Sequence, residues 1–196
     1  DDLVSEEEKN QYLMTIYRKA DDLDELINTF YEYSKLEHPD YKLVFERIDI
    51  CEYVRVYLAG KYEELDIRDV EVDAVIPDEP IYCNIDRFQL KRVFENIINN
   101  SLKHNDKNLA ILLKLEKDYY KVKINIADNG YGIPEEISKN IFEPFVVGEK
   151  SRTKKGSGLG LAISKKIIDA HGGSISIVEP RENYKTEFEI MIPREV

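Results

Sequence analysis

Apolar or small residues in the first 37 positions recur at alternating steps of three and four: Leu13, Ile16, Ala20, Leu23, Ile27, Phe30 and Ser34. That spacing is a heptad seam. Leu26 and Tyr33 widen it into a stripe, which predicts a long helix over residues 5–37 that packs against other helices in a bundle. No glycine or proline interrupts the run, and it stops at His38-Pro39, where proline removes a backbone donor and turns the preceding residue away from helical geometry. The competing reading folds this helix back onto its own domain.

Beyond that boundary the periodicity changes. LVFERIDI (43–50) predicts a strand leading into a helix over about 50–65. VEVDAVI (70–76) and IYCN (81–84) predict strands separated by a turn at Pro77 to Pro80. Asp86 is placed to cap a helix running to His104. LAILLKLEK and YYKVKINIADNG predict an antiparallel pair joined near Asp118, with Val122, Ile124 and Ile126 alternating toward a core. A short helix opened by Pro134, a glycine-led helix after residue 156 and strands near 175–178 and 186–192 complete the chain. The sum is an α+β fold: a two-layer sandwich with helices on one face of a mixed sheet, preceded by the long N-terminal helix. Domain boundaries follow at 1–38 and 39–196.

Composition narrows the function classes. With 196 residues and 42% hydrophobic content, the chain can bury one core of ordinary size plus an appendage. No run of about 18 apolar residues and no signal-peptide pattern is present, so no membrane insertion by this chain is expected. Cys51 and Cys83 lack metal-ligand spacing and read as ordinary half-buried residues of a protein in a reducing cytoplasm. The net charge of -11 argues against nucleic-acid binding, which needs basic side chains to neutralise phosphates. Against that background GEKSRTKKG (148–156) is a basic island; its bland reading is a solvated loop.

Three stretches carry candidate chemistry. On the helix QLKRVFENIINNSLKHN, Asn96, Asn100 and Lys103 fall within about 60° of one another, beside the apolar face of Leu90, Val93, Phe94, Ile97 and Ile98. Two carboxamide oxygens and a cation in a row suit a magnesium ion and phosphates, or equally a solvated polar edge. In DNGYGIP, Asp128 shares the parity of Val122, Ile124 and Ile126, so a carboxylate faces the core; Gly130 and Gly132 would let a base pass close. An Asx turn with hairpin glycines explains the same letters. In GSGLGLAISKKIIDAHGG, Gly156, Gly158 and Gly160 leave bare N–H groups where a helix starts, a place that favours anions; a flexible loop would look similar.

With these segments in order, the chain resembles the ATP-binding domain of sensor histidine kinases, in the superfamily shared with gyrase and the heat-shock chaperone ATPases. ENIINNSLKH is similar to its N box, DNGYGIP to its G1 box, IFEPF (141–145) to its F box and GSGLGLAISKKIIDAHGG to its G2 region. The resemblance implies ATP and Mg²⁺ as cofactors. Asp128 would bind the adenine amino group beside Gly130 and Gly132, with Thr186 helping to hold adenine; Asn100 would coordinate Mg²⁺, with Asn96 and Lys103 near the phosphates. Residues 146–157 would form the ATP lid, with Gly156, Gly158 and Gly160 at the phosphates, Arg152 or Lys154 reaching the γ-phosphate, and Phe142 and Phe145 steadying the lid.

It also implies that residues 1–38 are the second helix of the dimerisation and phosphoacceptor hairpin, with the SKLE exit at Ser34 to Glu37. The histidine-acid pair of the hairpin's first helix is absent: His38 precedes proline, His104 closes the N-box helix and His171 stands before Gly172. The expected chain is therefore a piece of a longer cytoplasmic or membrane-anchored sensor. Its expected partners are its own phosphoacceptor hairpin, a response regulator and, through the N-terminal helix, a second copy. Two departures from the family pattern are Ser101, where alanine is usual, and Lys185, where glycine is usual. Two other functions stay open. One is an ATP-driven hydrolase or clamp, although Glu95 projects about 100° from the position of a water-activating base. The other is a non-catalytic dimerising module with a vestigial pocket.

Overall fold

The computed structural model describes residues 5–38, 40–105, 108–148 and 157–195. Helix α1, Glu6–Glu37, begins with a capping box: the Ser5 hydroxyl accepts from Glu8 N–H, while Glu8 accepts from Ser5 N–H at 2.8 Å. Three glutamates in its first turn complement the helix dipole. Strand β1 (Glu46–Asp49) leads into α2 (Ile50–Ile67), whose N-cap Asp49 accepts from the N–H groups of Cys51 and Ile81. Strands β2 (Glu71–Val75) and β3 (Tyr82–Ile85) precede α3 (Arg87–His104), capped by Asp86 as its position in the sequence predicts.

Strands β4 (Ala110–Lys117) and β5 (Lys121–Asp128) form the expected antiparallel pair. The one-turn helix α4 (Glu135–Ser138) follows Pro134, and the glycine-led helix α5 (Gly160–Ala170) precedes β6 (Ser174–Ile177) and β7 (Thr186–Pro193). Five strands make one mixed sheet in the order β2-β4-β5-β7-β6, in which only β2 and β4 run parallel. Although β2 and β3 flank one proline turn, they do not pair with each other. β3 joins β1 in a separate two-stranded ribbon.

One core forms between the sheet and α2, α3 and α5. Val122, Ile124 and Ile126 of β5, Phe188, Ile190 and Ile192 of β7, and Leu90, Val93, Phe94, Ile97 and Ile98 of α3 are all buried in it. Both cysteines belong to this core and are fully buried, not half-buried as the sequence suggests; burial pushes the Cys83 thiol up to about 12. The N-terminal helix differs. None of its residues is buried, and Leu13, Ile16, Leu23, Ile27 and Phe30 of the seam are more than half exposed. Among the described residues, its C-terminal turns meet the domain: Tyr33 and Leu36 pack against the core, Glu32 pairs with Arg92 at 3.1 Å, and Glu37 pairs with Lys166 at 2.9 Å.

Candidate functional site

Asp128 ends β5 on the face that carries Ile124 and Ile126, and it is 5% exposed. Strand register sets it beside Thr186 of β7, also buried, so the carboxylate and the threonine are neighbours on the inner face. The Ser101 hydroxyl of α3 donates to Asp128 Oδ2 at 2.9 Å, and Gly130 N–H donates to Oδ1 at 2.9 Å. The second bond is an Asx turn. Two readings that compete in the sequence therefore coexist: the turn is real, and the carboxylate that makes it faces inward.

Asn105, just past α3, joins this group although the sequence reading does not single it out. Its amide N–H donates to Ser101 O at 2.7 Å and reaches Asp128 Oδ1 at 3.5 Å, while its Oδ1 accepts from Tyr131 N–H at 2.9 Å. The missing side chain of Gly130 makes room for the Asn105 amide, which a Cβ there would overlap. Gly132 has φ +75° and lies against the backbone of Lys185, whose N–H donates to Asp128 O at 2.7 Å. Lys185 itself has no positive φ, so the local backbone does not demand glycine there.

At the other end of the site, Asn96 ties two helices together. Its Nδ2 donates to Gly160 O at 2.8 Å and to Ser164 Oγ at 3.1 Å, fixing the first turn of α5 against α3. Asn100 and Lys103 lie further along α3, half-buried and exposed respectively, and the Asn100 amide makes no hydrogen bond among the described residues. Helices α1, α2 and α3 have side-chain N-caps, but no side-chain hydrogen bond caps α5. Among the described residues, its first N–H groups therefore have no side-chain acceptor.

Gly158 precedes α5 with φ +69°, and a Cβ on it would come within 2.8 Å of the Phe145 carbonyl carbon. Phe145 N–H donates to Gly158 O at 3.0 Å, and Phe145 is itself left-handed at φ +64°. Phe142 meets Phe188 edge-on, 6.3 Å between centroids, and so serves the core. Arg152, Lys154 and Gly156 lie outside the described residues, as does most of the expected lid. Cavities of about 360 and 440 Å³ are lined by Leu36, Tyr41 and Lys166 and by Asn84, His171 and Arg194, among others. Neither contains Asp128 or Asn100; the candidate site is recognised by its chemistry and not by the size of a hollow.

His171 holds the far end of α5. Its Nε2 accepts from Asp86 N–H at 3.0 Å and its Nδ1 lies 2.7 Å from Ile167 O, so the ring is neutral with its proton on Nδ1. Burial lowers its pKa, outweighing the raising effects of the Ile167 carbonyl and the Asp86 carboxylate. On the outer face of the sheet, Glu187 is also buried; burial raises its pKa, but the Arg181 guanidinium and backbone N–H outweigh this and hold it below the usual carboxylate range. Among the described residues no three His, Cys, Asp or Glu side chains converge on a metal position.

Comparison with known proteins identifies the family and the fold. Residues 85–196 match the family of histidine kinase-, DNA gyrase B- and HSP90-like ATPases. Over 193 residues, 97% of the chain, it is 29% identical to the sensor histidine kinase YcbM of Bacillus subtilis, of which it covers 62%. Over 195 residues it is 32% identical to the sensor protein kinase WalK of Staphylococcus aureus strain JH9, covering 97% of this chain and 32% of that one. The chain thus spans less than two thirds of these relatives. Among solved structures, the catalytic domain of histidine kinase ThkA aligns with 78% of this chain and 99% of its own, at 31% identity and a TM-score of 0.68. The same kinase in complex with the response regulator TrrA aligns with 98% of this chain and 53% of its own, at 28% identity and a TM-score of 0.75.

Proposed function

Because the chain belongs to the family of histidine kinase-, DNA gyrase B- and HSP90-like ATPases, we propose that it is the ATP-binding catalytic part of a two-component sensor histidine kinase. It would transfer the γ-phosphate of ATP to a histidine on a hairpin helix outside this chain, for onward transfer to a response regulator. The observation that carries this reading is the buried Asp128 carboxylate in register with Thr186: an inward-facing acid with acceptor capacity left over needs a donor, and the 6-amino group of adenine is one.

The remaining roles follow along the site. Thr186 holds the base from the neighbouring strand, and Gly130 and Gly132 let the Asn105 amide and the Lys185 backbone close in around Asp128. The uncapped start of α5 at Gly158 and Gly160 accepts the phosphates. Asn100 offers one free amide oxygen to Mg²⁺, an ion that shares phosphate oxygens and keeps waters instead of needing a protein cage. That ion would neutralise phosphate charge as the terminal P–O bond breaks and a P–N bond to the acceptor imidazole forms. Lys103 adds charge near the phosphates, Asn96 sets the position of α5, and Arg152 or Lys154 would reach the γ-phosphate. Catalysis by this chain is positioning and charge neutralisation.

Residues 1–38 would supply the second hairpin helix. The exposed Leu13, Ile16, Leu23, Ile27 and Phe30 supply the face for a first hairpin helix and for a second copy of the protein. No helix among the described residues is long and apolar enough to cross a membrane; the chain would work on the cytoplasmic side, where ATP is supplied. A hydrolase reading gains no support from Glu95, which lies 3.6 Å from Lys91 on the α3 surface. The test mixes this chain with the folded phosphoacceptor hairpin of its full-length protein and γ-labelled ATP. Acid-labile label on the hairpin, lost with Asp128→Asn, is the expected result; no label with both partners folded overturns the reading.

A further inference from the structure

The bonds around Asp128 leave a specific vacancy. A carboxylate offers two oxygens with two lone pairs each. Among the described residues, Oδ1 receives Gly130 N–H at 2.9 Å and, more loosely, the Asn105 amide at 3.5 Å, while Oδ2 receives only the Ser101 hydroxyl at 2.9 Å. The acceptor position that remains is on Oδ2, next to the serine. The terminal torsion of an aspartate is soft, so a carboxylate without a second fixed donor turns easily. Ser101 and Asp128 are each 5% exposed, and at such a buried site a charge-assisted hydrogen bond holds the plane firmly.

We propose that Ser101 is a positioning and specificity residue for the nucleobase: its hydroxyl sets the Asp128 carboxylate so that Oδ2 accepts from a 6-amino purine and presents a lone pair against a 6-oxo purine. The inference rests on Asp128 being the purine acceptor. Ser101 could donate to the O6 of a 6-oxo base only if its hydroxyl turned away from Asp128. That would leave a buried carboxylate oxygen without its donor, and a buried charge left unpaired is expensive. The other acceptor within reach of Ser101 is Ile97 O at 3.4 Å, a long contact that does not compete well with 2.9 Å.

The experiment is calorimetric titration of this chain and its Ser101→Ala variant with three diphosphates: ADP, purine riboside diphosphate, which lacks any 6-substituent, and IDP, which carries the 6-oxo group. Diphosphates avoid turnover, and alanine is a good helix former, so the variant keeps α3. Ser101→Ala is expected to weaken ADP about tenfold, to leave purine riboside diphosphate within about twofold, and to narrow the gap between ADP and IDP. Equal losses on ADP and purine riboside diphosphate, or no loss on either, overturn the proposal while the nucleotide site stands. Failure of the unaltered chain to bind ADP overturns the nucleotide reading and the proposal with it.

Discussion

The two ends of the proposed nucleotide site are built from different materials. At the purine end the work falls to side chains, each fixed by a neighbour: Asp128 by Ser101 and Gly130, and Asn105 by Ser101 O and Tyr131 N–H. At the phosphate end it falls to backbone. Helix α5 opens without a side-chain cap, and Gly158 gives a left-handed turn that Phe145 fills from behind. The difference teaches where each end is vulnerable. The purine end fails when one functional group changes identity, whereas the phosphate end fails when a peptide unit moves.

The largest expected effect is therefore at the purine end. Asp128→Asn keeps the side chain's size but gives one arm two N–H donors, facing either Ser101 or Gly130, which also donate. The base loses its charged acceptor and the pocket gains a donor clash. Nucleotide affinity should fall about 100-fold, read by titration with ADP, while the circular dichroism spectrum holds. If affinity is kept, the division between the two ends is wrong.

Next comes a paired test of the phosphate end. Gly158→Ala places a Cβ at φ +69° and 2.8 Å from backbone that cannot swing aside. It should cost about 2 kcal/mol in urea unfolding and weaken nucleotide binding as the start of α5 shifts. Gly160→Ala should be close to neutral, within about 0.5 kcal/mol, because its Cβ would meet Asn96 Oδ1 at an ordinary 3.4 Å and alanine favours the helix. Equal behaviour of the two variants would mean that glycine is needed in this loop for something other than its left-handed turn.

The same division explains what the sequence revealed. Alternation along Val122, Ile124, Ile126 and Asp128 shows an inward carboxylate because strand parity needs only local letters. The helix of Asn96, Asn100 and Lys103, its Asp86 cap and the antiparallel strands that end in Asp128 are legible for the same reason. What stays hidden depends on contacts between distant segments. Asn105 matters because Gly130 lies against it, and Asn96 ties α3 to α5 through Gly160, 64 residues away. A turn holding Pro77 and Pro80 suggests that β2 and β3 are partners, but pairing is decided by which edges remain open, and each strand joins another partner. The heptad seam predicts a helix that packs on other helices, and α1 has the seam, but most of that face is left bare within this chain.

The smallest expected effect concerns how α5 is held behind its glycines. Asn96 grips its first turn and His171 its last, and His171 does so as a neutral ring that accepts from Asp86 N–H and donates to Ile167 O. Protonation would replace the acceptor at Nε2 with a donor facing a donor. Because burial depresses the folded-state pKa below the ordinary histidine value of about 6.5, the stability this ring contributes is fully present above that value and is lost as pH falls through the folded-state pKa. Melting temperature should therefore decline on acidification below about pH 6.5, with ADP affinity weakening in parallel as α5 loosens. His171→Gln, which can accept from Asp86 N–H but does not titrate, should start less stable and show a shallower decline. An unchanged slope in that variant would assign the acid sensitivity to other groups and remove His171 as a support of the phosphate end.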